Sequence, residues 1–384
     1  MGIILYYYGN FKLCLKCLGQ LKARYNDRVS HLNFLRDLNK GMDLLYSPEG
    51  INTPVHKRIV IDVLGDANPG KIVSIIRFPE NWIPTAGFFA LFNRALCSLA
   101  FADRFGLYPV VDHWRGCPYE EETMLDTPVF EYYFKPVSSV TLDNALKSLN
   151  VTIPPTWEYT ETIYSVNGKY VWFQPTEPYL DELASAFRNH IRLNEKTEKR
   201  LTADIHSLLG NKKTLGIHFR GTDYKLNVNG HPVALQFDDY SGAVDEAMKR
   251  NGFCQIFLAT DDQDILTKFR KKYGDSIICY DDTFRATGVH SVANTSLNRE
   301  LHKYEMVYEV LRDSYTLAAC DGFIGGNSQV AISARVNKKS KGEKFEYLCI
   351  MDKGLNINNR NWEDYYRENL QNKQNEQESL EAVT

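Results

Sequence analysis

Short apolar segments and amphipathic segments alternate through the second half of the chain. Apolar runs at residues 214–218, 254–260 and 345–351 predict buried strands. Apolar residues recur at helical spacing in the segments between them, for example at 237–249. Strands that alternate with helices in this way form parallel sheets, so the pattern predicts a doubly wound α/β domain.

The first half shows a similar but weaker pattern. β-branched residues at 58–64 and 71–78 predict strands, and residues 88–105 carry an apolar helical face that ends at Gly106. A strand is expected at 107–111. A turn at Thr85–Gly87 precedes the helix, so Gly87 lies at a helix N-terminus, where backbone N–H groups can bind an anion.

The segment between the two halves predicts the domain boundaries. Residues 180–209 form a long, charged helical pattern that is interrupted at Asn194, as expected of a bridge between domains. The predicted divisions are an N-terminal domain at 1–205, a C-terminal domain at 206–355, and a helix with a solvated tail at 356–384.

Residues 112–177 are rich in aromatic side chains and have two interpretations. They are core and loop packing, or they form a surface that stacks on the apolar faces of an acceptor sugar. The residues concerned are Trp114, Tyr119, Phe130, Tyr132, Tyr133, Phe134, Trp157, Tyr159, Tyr164, Tyr170, Trp172 and Phe173.

Composition and charge limit the kinds of binding partner and the cellular location to be expected. The 384 residues carry a formal charge of −3 with no sustained basic stripe, so nucleic acid is not an expected partner. The apolar runs are shorter than the roughly 20 residues that span a bilayer. Together with the absence of a convincing signal peptide, this predicts a cytoplasmic protein and leaves peripheral membrane association open. The Cys14/Cys17 pair lacks the second pair of a zinc site.

The segment 215–225 (LGIHFRGTDYK) carries the densest candidate chemistry. Its strand delivers His218, Arg220, Thr222 and Asp223 to the carboxyl edge of the predicted sheet, where α/β proteins bind ligands. The guanidinium of Arg220 is a rigid fork that fits a diphosphate, and Asp223 is close enough to orient it. The alternative is an ion pair between Arg220 and Asp223 that serves the fold alone.

Four pieces of the sequence together resemble the motifs of the GDP-fucose-dependent fucosyltransferases, in particular the core α1,6 and bacterial nodulation-factor enzymes. They are His218–Asp223, Ala259–Asp262, Asp313, and Asn327-Ser328-Gln329. The resemblance covers roughly residues 210–335. It implies two Rossmann-like domains that face a cleft, the GT-B arrangement, with GDP-fucose bound mainly by the second domain and a glycan acceptor bound mainly by the first.

The resemblance assigns roles to individual residues. Arg220 stabilises charge on the departing diphosphate. Ser328 and Gln329 at a helix N-terminus donate to the same phosphates, and Asp313 accepts the paired N–H donors of guanine. The predicted donor-binding set is His218, Arg220, Thr222, Asp262, Asp313, Asn327, Ser328, Gln329 and, in place of the family's glycine-rich loop, Gly87.

The catalytic base does not follow from the resemblance. The core α1,6 enzymes carry a glutamate soon after the first motif, but residues 226–230 of this chain contain no carboxylate, and Tyr224 replaces a lysine. The alternatives are Asp223, His231, Asp238 and Asp239, with Asp223 and Asp239 preferred. The predicted catalytic residues are therefore Arg220, Asp223 and Asp239.

Metal is not expected. Asp262 and Asp264 form a D-x-D that holds a metal in another class of glycosyltransferase, but Asp261 or Asp262 is better explained as the cap of a helix at 265–273. Two other functions stay open. One is a catalytically inactive relative that binds a nucleotide sugar or a glycan, which the missing glutamate favours. The other is an α1,2-type enzyme, whose first motif has glycine where this chain has Thr222.

Overall fold

The structure is a computed structural model of the chain, and it describes residues 3–7, 10–13, 61–78, 82–153, 172–289, 292 and 297–359. The chain divides into two compact units. Unit 1 contains residues 1–200 and 339–342, and unit 2 contains residues 201–338 and 343–384. The Cys14/Cys17 pair, the predicted helix near 362–370 and the predicted tail lie outside the described residues.

Unit 1 is built on a parallel sheet. In the described part, strand β3 (Val73–Ile76) lies between β4 (Tyr108–Val111) and β5 (Val151–Thr152). Helix α1 (Phe88–Phe105) has the predicted bounds. It ends where Gly106 takes the left-handed conformation, with φ of 62°, which glycine adopts without steric cost. The strand expected at 58–64 is wrong in its described part, which holds only an isolated bridge between Asp62 and Val151.

The aromatic residues of unit 1 form its core. Phe92 lies on the buried side of α1 and contacts Phe130 and Phe134, with ring centroids 6.4 Å and 5.2 Å away. The sugar-surface interpretation is therefore wrong for the described aromatic residues, which are buried: Trp114, Tyr119, Phe130, Tyr132, Tyr133, Phe134, Trp172 and Phe173. Trp157, Tyr159, Tyr164 and Tyr170 lie outside the described residues.

Two further strands and three further α-helices precede β6 in the described part of the chain. Strands β1 (Ile3–Tyr7) and β2 (Asn10–Leu13) pair antiparallel. Thr141 caps the short helix α2 (Leu142–Ala145). The predicted helical segment with a break at Asn194 is two helices, α3 (Glu177–His190) and α4 (Glu195–Leu209).

Unit 2 holds a five-stranded parallel sheet in the order β10-β9-β6-β7-β8, which confirms the predicted parallel α/β fold. Its strands are β6 (Thr214–Phe219), β7 (Gln255–Thr260), β8 (Ile277–Ile278), β9 (Gly322–Gly326) and β10 (Tyr347–Met351). Its helices are α5 (Phe237–Asn251), α6 (Gln263–Tyr273), α7 (His302–Ala319) and α8 (Gln329–Ser340). Helix α8 begins at Gln329, at the predicted helix N-terminus.

Strand β9 depends on its glycines. A Cβ on Gly322 would lie 2.4 Å from the ring of Phe253, and one on Gly326 would lie 2.6 Å from Leu235. These distances are shorter than real Cβ contacts, so a larger residue at either position would force Phe253 or Leu235 to move. The pairing of β9 with β6 brings the residues that follow β9 near the end of β6.

The loop after the first motif is tied to the segment after β10. Gly230 N–H donates to the carbonyl of Asn356, and Val233 N–H donates to the carbonyl of Gly354. Asn356 N–H donates in return to the carbonyl of His231. Two segments that are more than 100 residues apart in sequence therefore form one wall at the carboxyl edge of the unit 2 sheet.

Candidate functional site

The first motif lies where the sequence predicted, at the carboxyl end of β6. Strand β6 has β9 on one side and β7 on the other. The residues that follow these three strands therefore meet at one edge: Arg220 to Asp223 after β6, Asp261 and Asp262 after β7, and Asn327 and Ser328 after β9.

Arg220 forms two ion pairs at this edge. One terminal nitrogen lies 2.8 Å from Asp223 Oδ1, and the other lies 2.6 Å from Asp261 Oδ2. Burial disfavours the charged guanidinium, but the two carboxylates outweigh it and raise the pKa of Arg220. The side chain keeps 28% of its surface exposed, so its remaining N–H groups can meet a ligand.

Asp261 is the central acceptor of the site. Besides Arg220, its carboxylate accepts from the N–H of Gly221 at 2.8 Å and from the hydroxyl of Thr222 at 2.8 Å. Burial raises the pKa of Asp261, but Arg220 and these two donors outweigh it and hold the pKa below its usual value. Asp261 is therefore a carboxylate that orients the whole first motif.

Asp261 was not among the predicted site residues. It was predicted as a possible helix cap, although a carboxylate directly after a predicted central strand was the signal for a role at the sheet edge. Asp262 is the N-cap of α6, and its Oδ1 accepts from the N–H groups of Asp264 and Ile265. Its Oδ2 lies 2.5 Å from Lys225 Nζ. The structure gives Asp262 a capping role, and donor binding by Asp262 stays a prediction.

His218 and Ser328 join β6 to the start of α8. His218 Nδ1 lies 3.2 Å from Ser328 Oγ, and this hydroxyl also accepts from the N–H of Ala331. Ser328 therefore caps α8 as predicted. Burial lowers the pKa of His218 to about 4, with Asp261 opposing and Arg220 adding to the shift, so its imidazole is neutral at pH 7.

Next to this cap, Asn327 and Tyr224 close a small pocket. The hydroxyl of Tyr224 donates to the carbonyl of Asn327 at 3.2 Å. Arg220, Tyr224 and Asn327 line the pocket together with Asp352 and Lys353, the two residues that follow β10. Gln329, the first residue of α8, is half-buried at the same helix N-terminus.

Asp313 belongs to a second cluster along the same sheet edge. It lies on α7, and its side chain is buried, with 8% exposed. Burial raises the pKa of Asp313 to about 7, while the nearby guanidinium groups of Arg285 and Arg312 oppose the shift. No residue in the described part of the chain donates a hydrogen bond to this carboxylate.

The other members of the cluster hold Arg312 in place. Its guanidinium lies over the ring of Tyr280, 3.8 Å from the centroid. It also forms ion pairs with Asp282 at 2.5 Å and Asp204 at 3.2 Å. Tyr280 and Asp282 follow β8, which is two strands from β6.

Two predicted base candidates have other partners. Asp239 is in the capping box of α5, where its Oδ2 accepts from Gln236 N–H at 2.7 Å and from Lys353 Nζ at 2.6 Å. Burial raises the pKa of Asp239, but these donors outweigh it and lower the pKa, which makes Asp239 a weak base. Burial also lowers the pKa of His231 to about 4. The predicted roles of Asp239 and His231 as base stay predictions that this geometry does not favour.

Gly87 lies in unit 1 and directly precedes α1. The N–H of Phe88, the first residue of α1, donates to the hydroxyl of Tyr119 at 2.9 Å. One of the helix N-terminal donors that an anion would need is therefore already used. Donor binding by Gly87 stays a prediction.

Two kinds of feature are not found in the part of the chain that the structure describes. It contains no group of three or more His, Cys, Asp or Glu residues arranged to hold a metal ion. It also contains no helix of the length and hydropathy needed to cross a membrane.

Solved structures similar to this chain are fucosyltransferases, as the motifs predict. NodZ alpha-1,6-fucosyltransferase co-crystallized with GDP has 20% sequence identity and a TM-score of 0.44, with 69% of this chain and 92% of that chain covered. The fucosyltransferase NodZ from Bradyrhizobium has 19% identity, the same coverage and a TM-score of 0.41. POFUT1 in complex with GDP has 11% identity and a TM-score of 0.42, with 74% of this chain and 99% of that chain covered.

No protein-family model and no curated protein matches the chain. The similarity to the solved structures is distant in both sequence and superposition.

The neutral, buried His218 predicts a pH-dependent stability. An unfolded histidine has a pKa of about 6.5, so between pH 6.5 and pH 4 the unfolded state takes up a proton that native His218 does not. The free energy of unfolding should fall across this range, with about 3 kcal/mol due to His218. The free energy of unfolding, measured by urea titration at pH 7 and at pH 4, should therefore fall by about 3 kcal/mol less in His218→Gln than in the wild type.

His206 is the matched control because it is exposed. His206→Gln should lose as much stability as the wild type across the same range. An equal loss in His218→Gln and the wild type would contradict a neutral His218.

Proposed function

We propose that this chain transfers fucose from GDP-fucose to a hydroxyl group of a glycan, with inversion at the anomeric carbon and, following the resemblance, an α1,6-type linkage. The observation that carries the proposal is Asp313, a buried carboxylate to which no described residue donates a hydrogen bond. It lies along the same sheet edge as Arg220, which can meet a diphosphate.

Guanine supplies the donors that Asp313 lacks. Its N1–H and N2–H₂ point in one direction and match the two oxygens of a carboxylate, whereas uracil and cytosine present no such paired donor edge. A buried polar group without a partner is costly, so the folded chain is stabilised when a ligand donates to Asp313. Two N–H donors also favour the ionised carboxylate over the protonated form.

The diphosphate is the leaving group, and the first motif supplies its stabilisation. Arg220 is oriented by Asp223 and Asp261 before any ligand binds. A preorganised donor costs no reorganisation when negative charge develops on the departing phosphate oxygen. The N-terminus of α8 at Ser328 and Gln329 adds backbone N–H groups that attract phosphate.

The reaction transfers one proton and one glycosyl group. The acceptor oxygen attacks the anomeric carbon from the face opposite the diphosphate, and the carbon–oxygen bond to the β-phosphate breaks with its electron pair on that phosphate. The acceptor hydroxyl gives its proton to a carboxylate. Of the predicted candidates, Asp223 is the proposed base, because Asp239 is held in a capping box by Gln236 and Lys353.

A catalytically inactive nucleotide-sugar-binding relative is the second candidate. The observation that favours it is the absence of a carboxylate at residues 226–230. Release of GDP from GDP-fucose, measured with and without a pool of glycans, distinguishes the two. Acceptor-dependent release supports the enzyme, and binding without release supports the inactive relative.

Guanine recognition predicts selectivity among nucleotides. GDP should raise the melting temperature more than UDP or CMP, because only guanine donates to Asp313. In Asp313→Asn the advantage of GDP should disappear. GDP affinity of the wild type should also weaken as pH falls below about 7, since a proton then competes for the carboxylate. Equal shifts in melting temperature for all three nucleotides would contradict the proposed binding of guanine by Asp313.

Arg220→Lys tests the role of the guanidinium in turnover. Lysine keeps the charge but not the planar fork, so the variant should fold and bind GDP within about tenfold of the wild type. Its turnover should fall about a hundredfold, since the lost interaction strengthens as the glycosidic bond breaks. Arg270→Lys is the control, because Arg270 forms an exposed ion pair with Asp281. If Arg220→Lys turns over nearly as fast as the wild type, Arg220 serves only as an ion-pair partner of Asp223 and Asp261.

Metal independence is part of the proposal. Within the D-x-D, the carboxylate of Asp262 caps α6 by accepting from the N–H groups of Asp264 and Ile265, and it also pairs with Lys225. Activity should therefore persist after EDTA treatment and dialysis. A strict manganese requirement that Asp262→Asn abolishes would contradict this expectation.

A further inference from the structure

The charges around Arg220 do not suit a diphosphate by themselves. Arg220 is one positive charge, and it is paired with two carboxylates, Asp223 and Asp261. Lys225 and Asp262 cancel each other. Neutral His218 adds no charge. Together these side chains around Arg220 have a net charge of −1. A nucleoside diphosphate brings further negative charge to the same place.

Like charges in a partly buried site repel strongly, because the surroundings screen them poorly. The N-terminus of α8 offsets this only in part, since its dipole is equivalent to about half a charge. A diphosphate at this edge needs a second cation from the protein.

Lys353 is in the place where that cation is needed. Strand β10 is parallel to β9, with Met351 opposite Gly326, so the residues after the two strands lie side by side. Lys353 and Asn327 line the same pocket as Arg220. Among the residues that line this pocket, Arg220 and Lys353 carry the positive charges, and Asp352, whose carboxylate accepts from the N–H of Gly354, carries the negative one.

In the ligand-free structure Lys353 has an exchangeable partner. Its Nζ lies 2.6 Å from Asp239 Oδ2, and the lysine side chain is 45% exposed. Exposed ion pairs of this kind contribute little to stability. Asp239 would keep a donor after losing Lys353, because Gln236 N–H also bonds to it.

We propose that Lys353 is a second positively charged contact for the diphosphate of the donor, and that Asp239 holds it beside the pocket until a ligand binds. The inference rests on the proposed function and deepens it. It gives Asp239, predicted from sequence as a base, the role of a partner that competes with the diphosphate for Lys353.

Calorimetric titration with GDP and with guanosine tests the inference. Lys353→Met should bind GDP about tenfold more weakly than the wild type, which is the usual size of one charge-assisted contact. Guanosine lacks phosphates, so its affinity should not change. Asp239→Asn keeps the cap but releases Lys353, and it should bind GDP about threefold more tightly.

Lys344→Met is the matched control, since Lys344 is exposed just before the amino end of β10. It should bind GDP as the wild type does. Wild-type GDP affinity in Lys353→Met would overturn the inference and leave the proposed function intact. An equal loss for guanosine and GDP would also overturn it, because it would show an effect through the fold. A wild-type chain that binds GDP no better than UDP would overturn the proposed function itself.

Discussion

The carboxylate of Asp261 makes the interactions on which the candidate site depends. It accepts hydrogen bonds from the backbone at Gly221 and from the hydroxyl of Thr222, and it pairs with Arg220. One side chain at the end of β7 thus fixes the turn that ends β6. Gly221 is required for this approach, because a Cβ there would lie 2.4 Å from the Cβ of Asp262. Removing one partner of a buried charged network leaves the others unpaired, which is costly.

Two clusters of charged side chains, one around Asp261 and one around Asp313, lie along one edge of the unit 2 sheet. The cluster around Asp261 orients a guanidinium and is negative overall. The cluster around Asp313 holds two guanidinium groups near a carboxylate that lacks hydrogen-bond donors in the described structure. A ligand with paired N–H donors complements Asp313, whereas an anionic group complements Arg220 and the N-terminus of α8 but not the two carboxylates paired with Arg220.

Local patterns predicted the elements but not their side-by-side order. The helical face at 88–105 and the glycine after it predicted α1 with its bounds, because helix periodicity and capping act within a few residues. The strand and turn of the first motif were found for the same reason. The strand at 58–64 was wrong in its described part, since β-branched composition does not reveal whether a neighbouring strand is available for pairing.

Within the site, the residues around Arg220 could likewise be predicted only where they are close in sequence. Asp223 was predicted because it is three residues away. Asp261 and Lys353 were missed as site residues because their approach depends on β7 and β10 lying beside β6 and β9. The apolar runs of these strands do not encode which neighbour each will have. The aromatic segment at 112–177 was ambiguous because stacking residues have the same composition in a core and on a sugar-binding surface.

The hydrogen bonds between the first-motif loop and the segment after β10 affect how the site is made during synthesis. Gly230, His231 and Val233 find their backbone partners at Gly354 and Asn356. The ribosome adds residues at about 5–20 per second, so the motif leaves it several seconds before those partners exist. Until then the loop's N–H and C=O groups are bonded to water. The candidate site of this chain is therefore completed by one of the last described segments to be translated, and a chain that ends before residue 354 would lack these hydrogen bonds.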